Sequence, residues 1–165
     1  MWQRIQTVYL AVTFVLTLLM FFLPLSHFVG GGVEYIYTGV GLKHNVLAPD
    51  SSVTSTAFDF YSIPLALLLV LILVVNVVGI GLYRNRVFQI RFNIFNCILN
   101  LGVYAMFALF AWTTRGGFET KGMEMTSLSY GVALTFPLVN IVLTYLAIRA
   151  IGKDEALVRS YDRLR

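Results

Sequence analysis

The stretch YSIPLALLLVLILVVNVVGIGLY, Tyr61–Tyr83, decides the fold. It carries no charge, and Asn76 is the one amide within it. A bilayer core needs roughly 20 consecutive apolar residues of helix, so this run reads as a transmembrane span. Its start is punctuated accordingly. Ser62 is placed to cap a helix, and Pro64 falls in the first turn, where a missing N–H costs nothing.

Working outward, three further runs are long enough to cross: Val8–Phe28, Phe92–Thr113 and Leu128–Ile151. The first charge inside any of them is Arg149, near the end of the last. The first run exceeds the roughly 7–15 residues of a signal-peptide core and lacks a small-x-small cleavage site, so it is expected to be a retained helix. Of the 165 residues, 58% are hydrophobic and 12% charged, with mean hydropathy +0.79. Soluble domains carry about 25% charge, so the expected solvent is lipid. A single cysteine, Cys97, excludes an internal disulfide, a CxxC redox pair and cysteine-based zinc sites. The formal charge of +4 is spread along the chain and gives no reason to expect nucleic acid as a partner.

Basic residues orient the spans. Arg4, Arg84, Arg86, Arg91, Arg149, Lys153, Arg159, Arg163 and Arg165 fall on one side, and Lys43, Arg115 and Lys121 on the other. The positive-inside rule then places both termini in the cytoplasm. The expected fold class is an all-α membrane protein. It is a four-helix bundle forming one integral membrane domain over residues 1–165, with no internal repeat. Outer loops are expected at 29–60 and 114–127, and a cytoplasmic tail at 152–165. In the first loop Val33–Thr38 alternates with the period of a strand, and the second loop alternates around Glu119–Met125. A small extracytoplasmic sheet built from both is predicted. Pro24 is expected near the outer end of the first helix, and Pro137 is expected to kink the fourth. The tail reads as a short amphipathic helix after Gly152, with Leu157, Val158, Tyr161 and Leu164 on one face.

The residues that invite a functional reading are amides at membrane depth. Asn93, Asn96 and Asn100 share a face of the third helix, extended by Tyr104; Asn76 and Asn140 lie in the second and fourth. An amide in hydrocarbon is costly unless hydrogen-bonded, so these side chains are expected to point inward. In the leading reading they hold helices together. In the other, Asn76, Asn96, Asn100 and Asn140 line a polar pocket for a small ligand. Asn93 is expected nearer the interface, where it matters less. Carboxylates within the spans are lacking, which argues against proton-coupled transport. His27 and His44 show no metal-ligand spacing, so no metal or other cofactor is expected. Trp2, Tyr9, Phe28, Tyr61, Tyr83, Phe88 and Trp112 sit where aromatic belts meet headgroups. Gly79, Gly81, Gly102 and Gly131 are expected to permit close helix approach.

The ends carry a resemblance. Gln3-Arg4-Ile5-Gln6-Thr7 followed by Tyr9-Leu10, and the close Lys153-Asp154-Glu155, Leu157-Val158-Arg159-Ser160 and Asp162-Arg163-Leu164-Arg165, resemble a family of small four-helix inner-membrane proteins of unknown function found in Bacteroidetes. The resemblance covers essentially the whole chain. It implies location and architecture, and it brings no catalytic residue. Likeness to claudin-type bundles is architectural only, since the loop cysteine pair is missing. A contact surface is expected from Arg4, Glu155, Arg159, Asp162 and Arg163, with Glu155 and Asp162 set to pair with Arg4, Arg84 or Arg86. The sequence therefore reads as a non-enzymatic inner-membrane subunit, scaffold or accessory factor, associating with lipid and with itself or a membrane partner. The alternative is an oligomeric transporter or binding protein for a small ligand or lipid.

Overall fold

A computed structural model describes residues 5–30, 33–47, 53–59, 63–82, 85–120 and 125–162. Among these, four helices are long and apolar enough to cross a membrane, and five strands form a small antiparallel sheet at one end of them. In chain order the elements are α1 (Ile5–Phe22), β1 (Pro24–Gly30), β2 (Val33–Thr38), β3 (Leu42–Leu47), β4 (Val53–Asp59), α2 (Ile63–Gly81), α3 (Arg86–Thr120), β5 (Met125–Tyr130), a 3-10 turn (Val132–Thr135) and α4 (Phe136–Asp162).

The sheet order is β4-β3-β2-β1-β5. Strands β1 to β4 form a meander, and β5 joins from the far side, pairing Phe28 with Leu128. Because β1 leaves α1 directly and β5 leads into α4, the β1–β5 pair is a continuation of the α1–α4 contact. Gly131 N–H donates to the Leu25 carbonyl (2.8 Å) at this junction. A side chain at Gly131 would collide with the Pro24 carbonyl oxygen, so only glycine allows the crossing. The β2–β3 turn likewise presses on the helices: a Cβ at Gly39 would lie 2.6 Å from the Met20 carbonyl oxygen.

The sheet seals one end of the bundle with apolar side chains. Leu25, Phe28, Tyr37 and Leu42 pack on Met20, Leu65, Leu69, Ile72, Val103, Phe107 and Phe110. The Tyr37 ring stacks on Phe110 at 3.7 Å between centroids, and Phe28 meets Phe110 edge-on at 5.9 Å. Outside this cap, α2 turns Leu67, Val70, Val74 and Val77 outward, all exposed.

Several element ends differ from the hydropathy reading. The first apolar run was expected to stay helical to Phe28, but α1 stops at Phe22 and Pro24–Gly30 is a strand. Pro24 lacks the N–H a further helical turn needs, and an apolar run is equally compatible with a strand packed on a core. The fourth run was expected to be helical from Leu128, yet Met125–Tyr130 is β5. Pro137 does not kink α4 from within: it stands in the first turn, and the Ala133 carbonyl accepts the Phe136 N–H of the 3-10 turn instead. Helix α3 extends past both expected ends, and its 35 residues measure about 52 Å. The Phe107 and Phe110 packing anchors the half of α3 nearest the sheet. The tail is no separate helix, because α4 runs unbroken through Gly152 to Asp162. Of the strand pattern expected around Glu119–Met125, Glu119 and Thr120 instead end α3 and Met125 opens β5. The cap expected at Ser62, and Lys121 and Glu124, lie outside what is described.

Candidate functional site

The candidate site is a column of buried polar side chains on the bundle axis. Helix α1 contributes Gln6, Thr13 and Thr17; α2 contributes Asn76; α3 contributes Gln89, Asn93, Asn96 and Asn100; α4 contributes Asn140 and Thr144. All ten are at most 3% exposed. The spacing explains the alignment. Residues 89, 93, 96 and 100 recur at four, three and four positions, which keeps them on one helical face. Thr13 with Thr17, and Asn140 with Thr144, recur at four.

Amides from different helices meet in the middle. Asn76 Oδ1 accepts from Thr13 Oγ1 (2.8 Å) and from Asn96 Nδ2 (3.1 Å). Asn100 Nδ2 donates to the Asn96 carbonyl oxygen (2.9 Å) and to Asn96 Oδ1 (3.4 Å). Asn140 Nδ2 donates to Thr17 Oγ1 (3.0 Å) and to Asn100 Oδ1 (3.4 Å). The chain Thr13–Asn76–Asn96–Asn100–Asn140–Thr17 thus links all four helices. Backbone bonds use the spare capacity: Asn76 Nδ2 donates to the Ile72 carbonyl (3.1 Å) and Thr17 Oγ1 to that of Thr13 (2.8 Å). The structure therefore brings together Asn76, Asn96, Asn100 and Asn140, the four asparagines named for the polar pocket.

Tyr104 sits one turn above Asn100 and acts on backbone. Its hydroxyl donates to the Leu134 carbonyl (2.9 Å) and accepts the Leu138 N–H (3.1 Å). It is inserted between two groups that an uninterrupted helix would pair with each other, at the point where the 3-10 turn becomes α4.

Toward the chain termini the column ends in charge. Gln6 Nε2 donates to Asp154 Oδ2 (2.6 Å), Arg86 Nη1 donates to the Asp154 carbonyl (3.1 Å), and Arg86 lies 3.5 Å from Glu155. The expected pairing of Glu155 with a basic residue is therefore present, with Arg86 as the partner. The side chains of Arg4, Arg159, Asp162 and Arg163 lie outside the described residues.

Asn93 points inward, as expected of these amides: it is 1% exposed, and neither its Oδ1 nor its Nδ2 has a hydrogen-bond partner among the described residues. Gly79 faces it, with room for a Cβ only 3.3 Å from Asn93 Oδ1. Gln89 Nε2 donates to the Gly79 carbonyl (2.9 Å), leaving Gln89 Oε1 unpaired. Thr144 Oγ1 and Asn140 Oδ1 are unpaired as well. Gln6, Thr13, Thr17, Gln89 and Thr144 were not singled out from sequence. Their helical spacing is the signal that finds them. The histidines are elsewhere: His27 on β1 lies 3.5 Å from Glu34, and His44 on β3 meets Tyr35 edge-on.

Residues 2–164 match the family model of DUF4293, a domain of unknown function. The chain belongs to that family. The match takes in both terminal segments as well as the helices and sheet, so the DUF4293 unit is this whole architecture rather than a part of it. No curated protein matches the chain.

Proposed function

We propose that the chain is a multi-pass protein of the bacterial inner membrane, with both termini cytoplasmic. It works without catalysis as a subunit, scaffold or accessory factor of a membrane assembly. The observation that carries this reading is the amide chain across all four helices. Asn76, Asn96, Asn100 and Asn140 spend their donors on one another, on threonines and on backbone, which is what structural polar groups in a bundle do. A transport path would need a polar passage to both sides. Here the column meets the dry layer of Leu25, Phe28, Tyr37, Leu65, Leu69 and Phe107.

Lipid as solvent is supported by the outward apolar faces of the four helices and by the basic side chains gathered near their shared terminal end. Contact with a partner is supported by what projects from the bundle. The α4 tail continues past the Arg86–Glu155 pair, and β4 and β5 are sheet edges among the described residues, able to accept another strand.

Two measurements test the proposal. Reporter fusions after Arg165 should be active in the cytoplasm and silent outside; the reverse removes the topology. Tagged protein captured in mild detergent after cross-linking in cells should carry a stoichiometric membrane partner or a second copy. Deleting 157–165 should weaken that capture. Recovery of a lone monomer in that capture would remove the assembly reading and leave the alternative, a small-ligand or lipid-binding protein using the asparagine column.

A further inference from the structure

The unpaired atoms of the column form a pattern. Five buried side-chain atoms of the column lack partners among the described residues: Gln89 Oε1, Asn93 Oδ1, Asn93 Nδ2, Thr144 Oγ1 and Asn140 Oδ1. All four residues are buried, the most exposed being Gln89 at 3%. Leaving one buried polar group unpaired costs about 1–3 kcal/mol, so five of them together point to a bound species.

The chemistry of the lining selects that species. The lining is neutral, so nothing offsets the cost of a buried ion. It offers carbonyl oxygens, one amide N–H₂ and one hydroxyl, and therefore needs a ligand that both donates and accepts. The atoms do not converge on one point. From Gln89 to Asn100, the level at which Asn140 bonds, α3 climbs about 16 Å. A cation cage would gather its oxygens at one centre, whereas a file of small molecules would use them in succession.

We propose that the terminal half of the bundle holds a one-ended file of ordered water along Gln89, Asn93, Thr144 and Asn140. It opens beside the Gln6–Asp154 bond and is closed above by the apolar layer at Val103 and Phe107. Gly79 stands close beside Asn93, where a Cβ would come 3.3 Å from its Oδ1. Polar depth reached from one side only is a vestibule, not a pore. This inference does not depend on the assembly reading.

The test uses thiol reactivity in the full chain, in lipid nanodiscs where both ends are open to solvent. In a Cys97→Ala background, single cysteines are placed by Asn93→Cys, Thr144→Cys, Val103→Cys and Ile94→Cys. Each is exposed to silver ion and then denatured, and the remaining thiol is counted with a maleimide. Gel filtration first confirms folding, and Thr144→Cys, nearly isosteric, serves if Asn93→Cys does not fold. Silver needs the thiolate, and a thiolate needs water, so positions 93 and 144 should react at least about tenfold faster than 103 in the apolar layer and 94 on the outward face. Rates at 93 and 144 no faster than at 103 overturn the file. Equal reaction at all four positions overturns its enclosure, and reaction at only one of 93 and 144 overturns its continuity.

Discussion

Replacing Asn76 with leucine is the sharpest probe of what holds the bundle together. Asn76 Oδ1 accepts from Thr13 on α1 and from Asn96 on α3, so one atom ties three helices. Interhelical hydrogen bonds in membranes average about 0.6 kcal/mol and reach about 1.7. Losing two removes roughly 1–2 kcal/mol on that scale. The Thr13 hydroxyl keeps a fallback on the Leu10 carbonyl at 2.8 Å. The Asn96 amide loses its contact to Asn76 and gains no new one, which adds about 1 kcal/mol. Leucine recovers little, because lipid is as apolar as the bundle interior. Asn76→Leu should therefore destabilise by about 1–3 kcal/mol, read from the folded fraction as SDS is titrated into mixed micelles. A double-mutant cycle with Thr13→Val should show coupling near 0.6 kcal/mol. Val77→Ala, on a residue 55% exposed, should change stability by less than about 0.5 kcal/mol. An Asn76→Leu variant as stable as the parent, with no coupling to Thr13, would refute the structural role of the amide chain.

Other expectations follow from close contacts and continuity. Gly131→Ala should abolish accumulation of folded protein, because its methyl meets the Pro24 carbonyl, whereas Gly81→Ala, with nothing near its Cβ, should be neutral or slightly stabilising in the same expression and melting comparison. Tyr37→Ala removes the ring stacked on Phe110 and should cost about 3–5 kcal/mol in SDS titration; Tyr37→Phe should retain most of that. Gly152→Ala should stabilise by up to about 1 kcal/mol if α4 is continuous there, and a loss of stability would mean a hinge. Glu155→Gln breaks a part-exposed ion pair and should shift the unfolding midpoint by less than about 1 kcal/mol, with the difference fading at high salt.

The four long apolar helices were readable because a long uncharged run has few other destinations, and the run that holds α2 is such a one. The asparagines were readable too: an amide inside a span must face inward, and Asn76, Asn96, Asn100 and Asn140 do. Strand β1 was hidden because Leu25, Phe28 and Val29 are as apolar as the helix they follow, and hydropathy carries no direction of chain. Strand β5 was hidden the same way by Leu128 and Tyr130. The surroundings of Asn93 were not readable, because they include Gly79, fourteen residues away in sequence.

Composition and periodicity alone determined the number of long apolar helices, the polar face of α3 and the expected orientation by charge. These are properties of single segments, set by the cost of placing charge and unpaired amides in hydrocarbon. Tertiary structure decided which amides would find partners. It joined Asn76 to Thr13 and Asn96 and left Asn93, Gln89 Oε1 and Thr144 Oγ1 without one among the described residues. It also made the sheet a plug, since the β1–β2 and β1–β5 pairings lay Phe28 and Tyr37 across one end of the helices. Hydrogen-bond satisfaction and closure both depend on the register between distant segments, and register is not written in any one of them.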